Sequence, residues 1–172
     1  FQGVEFLFPY SWPAADIAEW REAAGVEQAL FNAPPGNCEA GERGLSALPG
    51  RETEFLDTIG KALEYATALD CPRIHVMAGL RPDGIAEETL YETYQMNLAF
   101  AATEAAKQNR NIIIEPINTR DMPGYFLNRQ HDAHGVVKTV GLENLRGADG
   151  SLSCSNCRRR RGDENPRIHR QG

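Results

Sequence analysis

Four times over, a short apolar run is followed by a segment with helical periodicity, and this alternation limits what the chain can fold into more than any other feature. Val4 to Phe8 reads as a strand ended by Pro9, followed by a helix that starts near Ser11 and Pro13, runs to Ala24 on an Ile17, Trp20, Ala24 face, and closes at Gly25. Glu27 to Asn32 is a second strand and Glu52 to Leu69 a second helix, with Phe55, Ile59, Leu63 and Ala66 on one stripe. Arg73 to Gly79 is a third strand, and Glu87 to Gln108 a helix that buries Leu90, Tyr94, Leu98 and Ala101. Asn111 begins the fourth strand, and Arg129 to Val140 is a last helix, capped by Asn128 and closed by Gly141. Strands that are apolar throughout and separated by helices require a parallel sheet covered by those helices.

A doubly wound sheet and a (β/α)8 barrel both satisfy that pattern. No G-x-G-x-x-G or G-x-x-x-x-G-K follows any strand, which disfavours nucleotide-binding folds. Polar residues instead recur at or near strand ends: Tyr10, Asn32, His75, Glu115 and Asn118. Side chains converging from several strand ends are how a barrel assembles a site. Four units are half of such a barrel, so the expected fold is a partial (β/α)8 TIM barrel over residues 1–146 with an irregular tail over 147–172.

Glu115 stands out because it ends the run Ile112-Ile113-Ile114, where a charge needs a purpose. A carboxylate at the carboxyl end of a buried strand is placed for chemistry, although a Glu turned to solvent or paired with an Arg would look the same. His75 reads equally as a core histidine, Asn32 and Asn118 as cappers or loop formers, and Arg51 and Arg120 as solvated side chains or as forks for a substrate carboxylate. The connection from Ala33 to Gly50 is long for a compact domain, and its Leu45 and Leu48 argue for a loop folded over a site.

Composition excludes several classes. The chain has 172 residues, 41% of them apolar, and a net charge of −6. It has no bilayer-spanning apolar run and no signal-peptide pattern, so a cytoplasmic protein with no membrane partner is expected. It also begins without Met, directly in strand-like sequence, as if its true start and first βα unit were missing. Charge is uneven: residues 147–172 hold six arginines against Asp149, Asp163 and Glu164, which leaves −9 on the rest. Cys38 and Cys71 are isolated, and Cys154 and Cys157 form one C-x-x-C, so no disulfide framework is implied.

Five segments, in order, now resemble one family: Val4 to Tyr10, Ala29 to Asn32, Gly44 to Glu52, His75 to Gly79, and Glu115-Pro116-Ile117-Asn118. The chain is similar to hydroxypyruvate isomerases of the xylose-isomerase-like barrel class, with 2-oxo-tetronate isomerases sharing much of the pattern. The resemblance implies an intramolecular oxidoreductase that interconverts hydroxypyruvate and tartronate semialdehyde through an enediolate. Its small hydroxy or oxo acid is the expected partner, not nucleic acid, and a homo-oligomer is compatible with the full-length parent. Glu115 is then the proton-shuttling carboxylate, with a second Glu later in the family's sequence. Related barrels bind a divalent ion, Mg or Mn, through these two carboxylates, an Asp and a His or Gln, so Glu115 is also a metal candidate. His75, Asn32, Asn118 and Arg51 are the substrate-binding candidates, His75 as a donor to the substrate oxygens. A 2-oxo-tetronate isomerase or ketose epimerase on the same barrel is the alternative.

After Arg146 the family pattern stops. Reading the possible codons of Gly147 onward one base later permits Val-Gln-Met-Asp-Leu-Tyr-His and then an amphipathic helix, a continuation close to the family's next unit. The expectation is a frameshift on a fragment that by itself is poorly soluble and inactive. On that reading Cys154 with Cys157 is no zinc or redox pair, and the Arg158 to Arg161 run of a non-enzymatic, basic-tailed binding protein is no nucleic-acid arm.

Overall fold

The structure, a computed structural model, describes residues 2–148. The readings of the C-x-x-C, of Arg158 to Arg161 and of the tail from residue 149 onward lie outside the described residues. The elements run β1 (Gly3–Phe6), α1 (Ala14–Ala24), β2 (Glu27–Asn32), α2 (Glu52–Ala68), β3 (Arg73–His75), α3 (Glu87–Ala106), β4 (Asn111–Ile114), α4 (Gln130–Val140) and β5 (Leu145–Gly147).

All five strands are parallel, and their order in space is their order in the chain. That order decides between the two architectures. A doubly wound sheet reverses direction once and so puts helices on both faces; right-handed crossovers that always step the same way keep every helix on one side. The chain is therefore an arc of a (β/α)8 barrel. Within the described residues β1 and β5 each pair on one side only.

Register assigns each side chain to a face. Phe31 pairs with Ile74, Ile74 with Ile112 and Ile112 with Leu145, and this whole row is buried in the core against the helices. The next row, Asn32, His75, Ile113 and Arg146, therefore faces the other way, toward the barrel interior. The α2 and α3 stripes expected from periodicity are all buried.

The structure departs from expectation in several places. On α1 only Ile17 is buried. Trp20 is 50% exposed and stacks edge-on with Trp12, ring centroids 5.3 Å apart, because the helix meets its neighbours through one row alone. Asn128 is not the α4 cap: its amide donates to Tyr125 O at 3.2 Å, and the helix starts after Arg129 without a side-chain cap. A fifth strand, Leu145–Gly147, lies where the sequence pattern stops, so ordered pairing passes the expected boundary at residue 146. Three residues with one buried side chain carry no readable period, and backbone bonds to β4, continued by Ala148 N to Ile114 O at 2.8 Å, hold the strand.

β3 stops at His75, although the apolar run continues to Gly79, because residues 76–80 turn to pair with two loops. Gly44 bridges Ala78 and Leu80 bridges Tyr125, both antiparallel. Ala47 N donates to Ala78 O at 2.9 Å, Ser46 Oγ to Met77 O at 2.8 Å, and Ala78 N to the Tyr125 hydroxyl at 2.8 Å. The connection after β2 is thus a fixed loop whose Leu45, Ser46 and Ala47 are buried. Two glycines make the contact: a Cβ on Gly44 would lie 2.2 Å from Met77 O, and one on Gly79 would lie 2.6 Å from Gly44 O. Three loops are in this way braced into one rim at the carboxyl ends of the strands.

Candidate active site

Glu115 follows β4 directly and lies two residues beyond Ile113, which places it on the interior face by the period of two. It is half-buried, and its carboxyl is pushed above the usual carboxylate range, first by burial and then by the charge of Glu5. Glu5 pairs with Leu30, two residues before Asn32, so it occupies the same face from β1. Glu115 in turn opposes ionisation of Tyr125, whose phenol is held up mainly by burial and accepts the Ala78 N–H.

A second group sits at the ends of β2 and β3. His75 Nδ1 lies 3.0 Å from Asn32 Oδ1, and the Tyr10 hydroxyl donates to Asn32 O at 2.7 Å. An amide oxygen has no hydrogen, so Nδ1 is the donor and the neutral ring's other nitrogen is a bare acceptor. That Nε2 is buried without a partner. The ring's single hydrogen is therefore spent on Asn32, and the arrangement supplies no donor from His75 to a substrate oxygen.

Burial lowers the His75 pKa from 6.5 to about 4. Between those values the unfolded chain takes up a proton that the folded one refuses, so stability contributed by the neutral ring is lost as pH falls through this window. Relative to H75Q, the wild type is expected to lose about 1.4 kcal/mol per pH unit over that range, measured as the change with pH in their difference in urea midpoint. A constant difference would contradict a buried, neutral His75.

The other candidates are engaged elsewhere. Arg51 donates to Glu42 Oε1 from Nη1 and to Glu54 Oε2 from Nε, each at 2.7 Å, so its fork ties the β2–α2 loop to the start of α2. Asn118 acts as a loop former: its Oδ1 accepts from Arg120 N and Asp121 N at 3.0 Å each, and its Nδ2 donates to Asp121 at 2.6 Å. Asn118 and Arg120 line one open cleft together with Thr119 and Asp121, just beyond Glu115. Sequence reasoning missed Glu5 and Tyr125. Glu5 carried the same signal as Glu115, a charge inside an apolar strand.

The described residues contain no group of three or more His, Cys, Asp or Glu placed to hold a metal ion. Glu115 would offer a divalent ion one carboxylate, and His75, fixed by Asn32 and buried, is not grouped with it. These residues alone do not make the family's ion site, and no step is derived through one.

A model of the xylose isomerase-like TIM barrel matches residues 1–147, and the chain belongs to that family. Its relatives include the 2-oxo-tetronate isomerase of Cupriavidus necator, 52% identical over 170 residues, which is 99% of this chain and 64% of that protein. The hydroxypyruvate isomerase of Escherichia coli is 38% identical over 146 residues, 85% of this chain and 57% of that enzyme. The crystal structure titled AP endonuclease, family 2, from Brucella melitensis superposes with a TM-score of 0.83 at 45% identity, over 86% of this chain and 57% of that one. The chain thus spans somewhat over half the length of these relatives. Among the described residues no helix is long and apolar enough to cross a membrane.

Proposed function

We propose that residues 1–146 are the Glu115-bearing part of a ketol isomerase acting on a short oxo acid, with hydroxypyruvate and tartronate semialdehyde as the pair interconverted. The observation that carries this reading is Glu115 itself, a carboxylate of raised proton affinity on the interior face at a strand's carboxyl end. Relatives named hydroxypyruvate isomerase and 2-oxo-tetronate isomerase support it. Moving the carbonyl requires breaking a C3–H bond, passing through an enediolate and forming a C2–H bond, while the hydroxyl proton passes from O3 to O2. Ionised Glu115 takes the carbon-bound proton; a proton affinity raised toward neutrality makes it a stronger base than an ordinary carboxylate. Glu5 sustains that affinity from across the interior.

A second reading, isomerisation of a four-carbon 2-oxo acid, is favoured by the 52% identity to the Cupriavidus necator protein. Comparing kcat/KM of the full-length protein on hydroxypyruvate and on 2-oxo-tetronate decides between them. A ratio of tenfold or more for hydroxypyruvate is expected; the reverse ratio assigns the second reading, and turnover of neither overturns both. The 172-residue chain, whose sheet has two open edges among the described residues, is proposed to be inactive, and measurable turnover by it would refute that. The out-of-frame reading of residues after Arg146 is likewise a proposal: the family match ends at residue 147, but the match to the Cupriavidus necator protein runs over 170 residues of the chain in the printed frame and weighs against it. DNA sequence across codons 144–150 that preserves the printed frame would end it.

A further inference from the structure

We infer that the opposite end of the sheet carries a binding site for a small oxyanion, of which inorganic phosphate is the simplest. A cleft of about 360 Å³ opens at the amino-terminal ends of β1, β2 and β3, far along the strands from Glu115. Three arginines line it, Arg21 from α1, Arg73 from the start of β3, and Arg110 from just before β4, together with Gln28, Glu27 and Asp70. Residues 1–146 carry a net charge of −9, so three guanidinium groups around one cleft run against the charge of the body that holds them.

Each arginine is positioned by one bond that leaves donors over. Arg21 Nη1 donates to Leu69 O at 2.8 Å, Arg73 Nε to Ala29 O at 3.0 Å, and Arg110 Nη1 to Asp70 Oδ1 at 3.0 Å. Arg21 Nε and Arg110 Nε are buried with no partner. Those two atoms are closed off from the cleft, and the guanidinium Nη groups that make no bond are the donors left for an anion. Two carboxylates also line the cleft, Glu27 and Asp70; the Asp70 side chain is 80% exposed while Arg110 is 16% exposed, so that pair is weakly held.

Gln28 is buried, its Nε2 donates to Leu30 O at 2.7 Å, and its Oε1 is closed off from the cleft. The ligand is therefore set by the three guanidinium groups, which suit a small oxyanion. The site is separate from the isomerase reading: Gln28 and Arg73 share the interior face by register, but they sit at the amino-terminal ends of their strands, at the opposite end from Glu115.

Calorimetric titration of the protein with inorganic phosphate, at constant ionic strength in chloride, tests this. Saturable one-to-one binding is expected, with sulfate competing at the same site. R110Q should weaken phosphate about tenfold, and D70N, which removes a negative charge at a position whose φ of 44° asparagine tolerates, should tighten it about threefold. If R110Q fails to fold, D70N decides alone. Absence of saturable binding, folded R110Q binding as tightly as wild type, or D70N binding no tighter than wild type would each overturn the site.

Discussion

Replacing Glu115 by Gln in the full-length protein is expected to lower kcat on the proposed oxo-acid substrate by about a thousandfold while leaving KM within a few-fold, the size of effect that removing a positioned general base produces. The amide keeps the shape of the carboxylate but cannot take a proton. The same substitution should not weaken the fold. The raised proton affinity of Glu115 means that its ionised form is disfavoured in the folded state. The stability linked to that group is present at low pH and lost as pH rises through the folded-state value. E115Q should therefore melt at the same temperature as wild type or slightly higher at pH 7, and the difference should vanish on acidification below the ordinary carboxylate range. Lost activity together with retained or raised stability separates a chemical role from a structural one.

The second large effect is structural. Gly44→Ala should destabilise the protein by about 3 kcal/mol or more, from a backbone held at a φ of 117° and a Cβ placed 2.2 Å from Met77 O. The clash is with main chain, which cannot rotate away. Because Gly44 bridges Ala78, and Ala78 is bound to Tyr125, the damage should spread along the rim toward Glu115. Gly25, whose added Cβ would meet nothing within 4 Å, serves as control: its φ of 63° makes G25N mild by comparison. Urea midpoints of the two variants check this, and a G44A midpoint close to wild type would show that the loop is not anchored as described.

The parts of this fold that were legible in the sequence are those where burial imposes a strict period. Glu27–Asn32 runs between the bounds read from its residues, and the α2 and α3 stripes, Phe55 to Ala66 and Leu90 to Ala101, are buried as their spacing requires. Legibility failed where backbone pairing replaced side-chain pattern. The run Arg73 to Gly79 is apolar to its end, yet sheet pairing stops at His75 and loop pairing takes over. Leu145–Gly147 is a strand because β4 has a free edge there, and nothing in three residues announces it.

The candidate site was half legible. Glu115 could be found from a charge at the end of an apolar run, and Glu5 by the same reasoning applied to Val4-Glu5-Phe6. That His75 would spend its hydrogen on Asn32 could not be read, since the two are 43 residues apart and only register joins them. The same holds for Arg21, Arg73 and Arg110, which meet because their strands and helices end together at one side of the sheet. Arg51, an attractive carboxylate clamp on paper, meets two carboxylates of its own chain first.

The central claim is that Glu115 moves a carbon-bound proton. Running the reaction of the full-length protein on hydroxypyruvate in D2O and reading the carbon-bound hydrogens by NMR tests it most directly. A carboxyl that holds the proton between two carbons exchanges it with solvent, so wild type should place deuterium at carbon in product or recovered substrate, and E115Q should place none. Isomerisation with no deuterium incorporated, or exchange that persists undiminished in E115Q, would contradict the account.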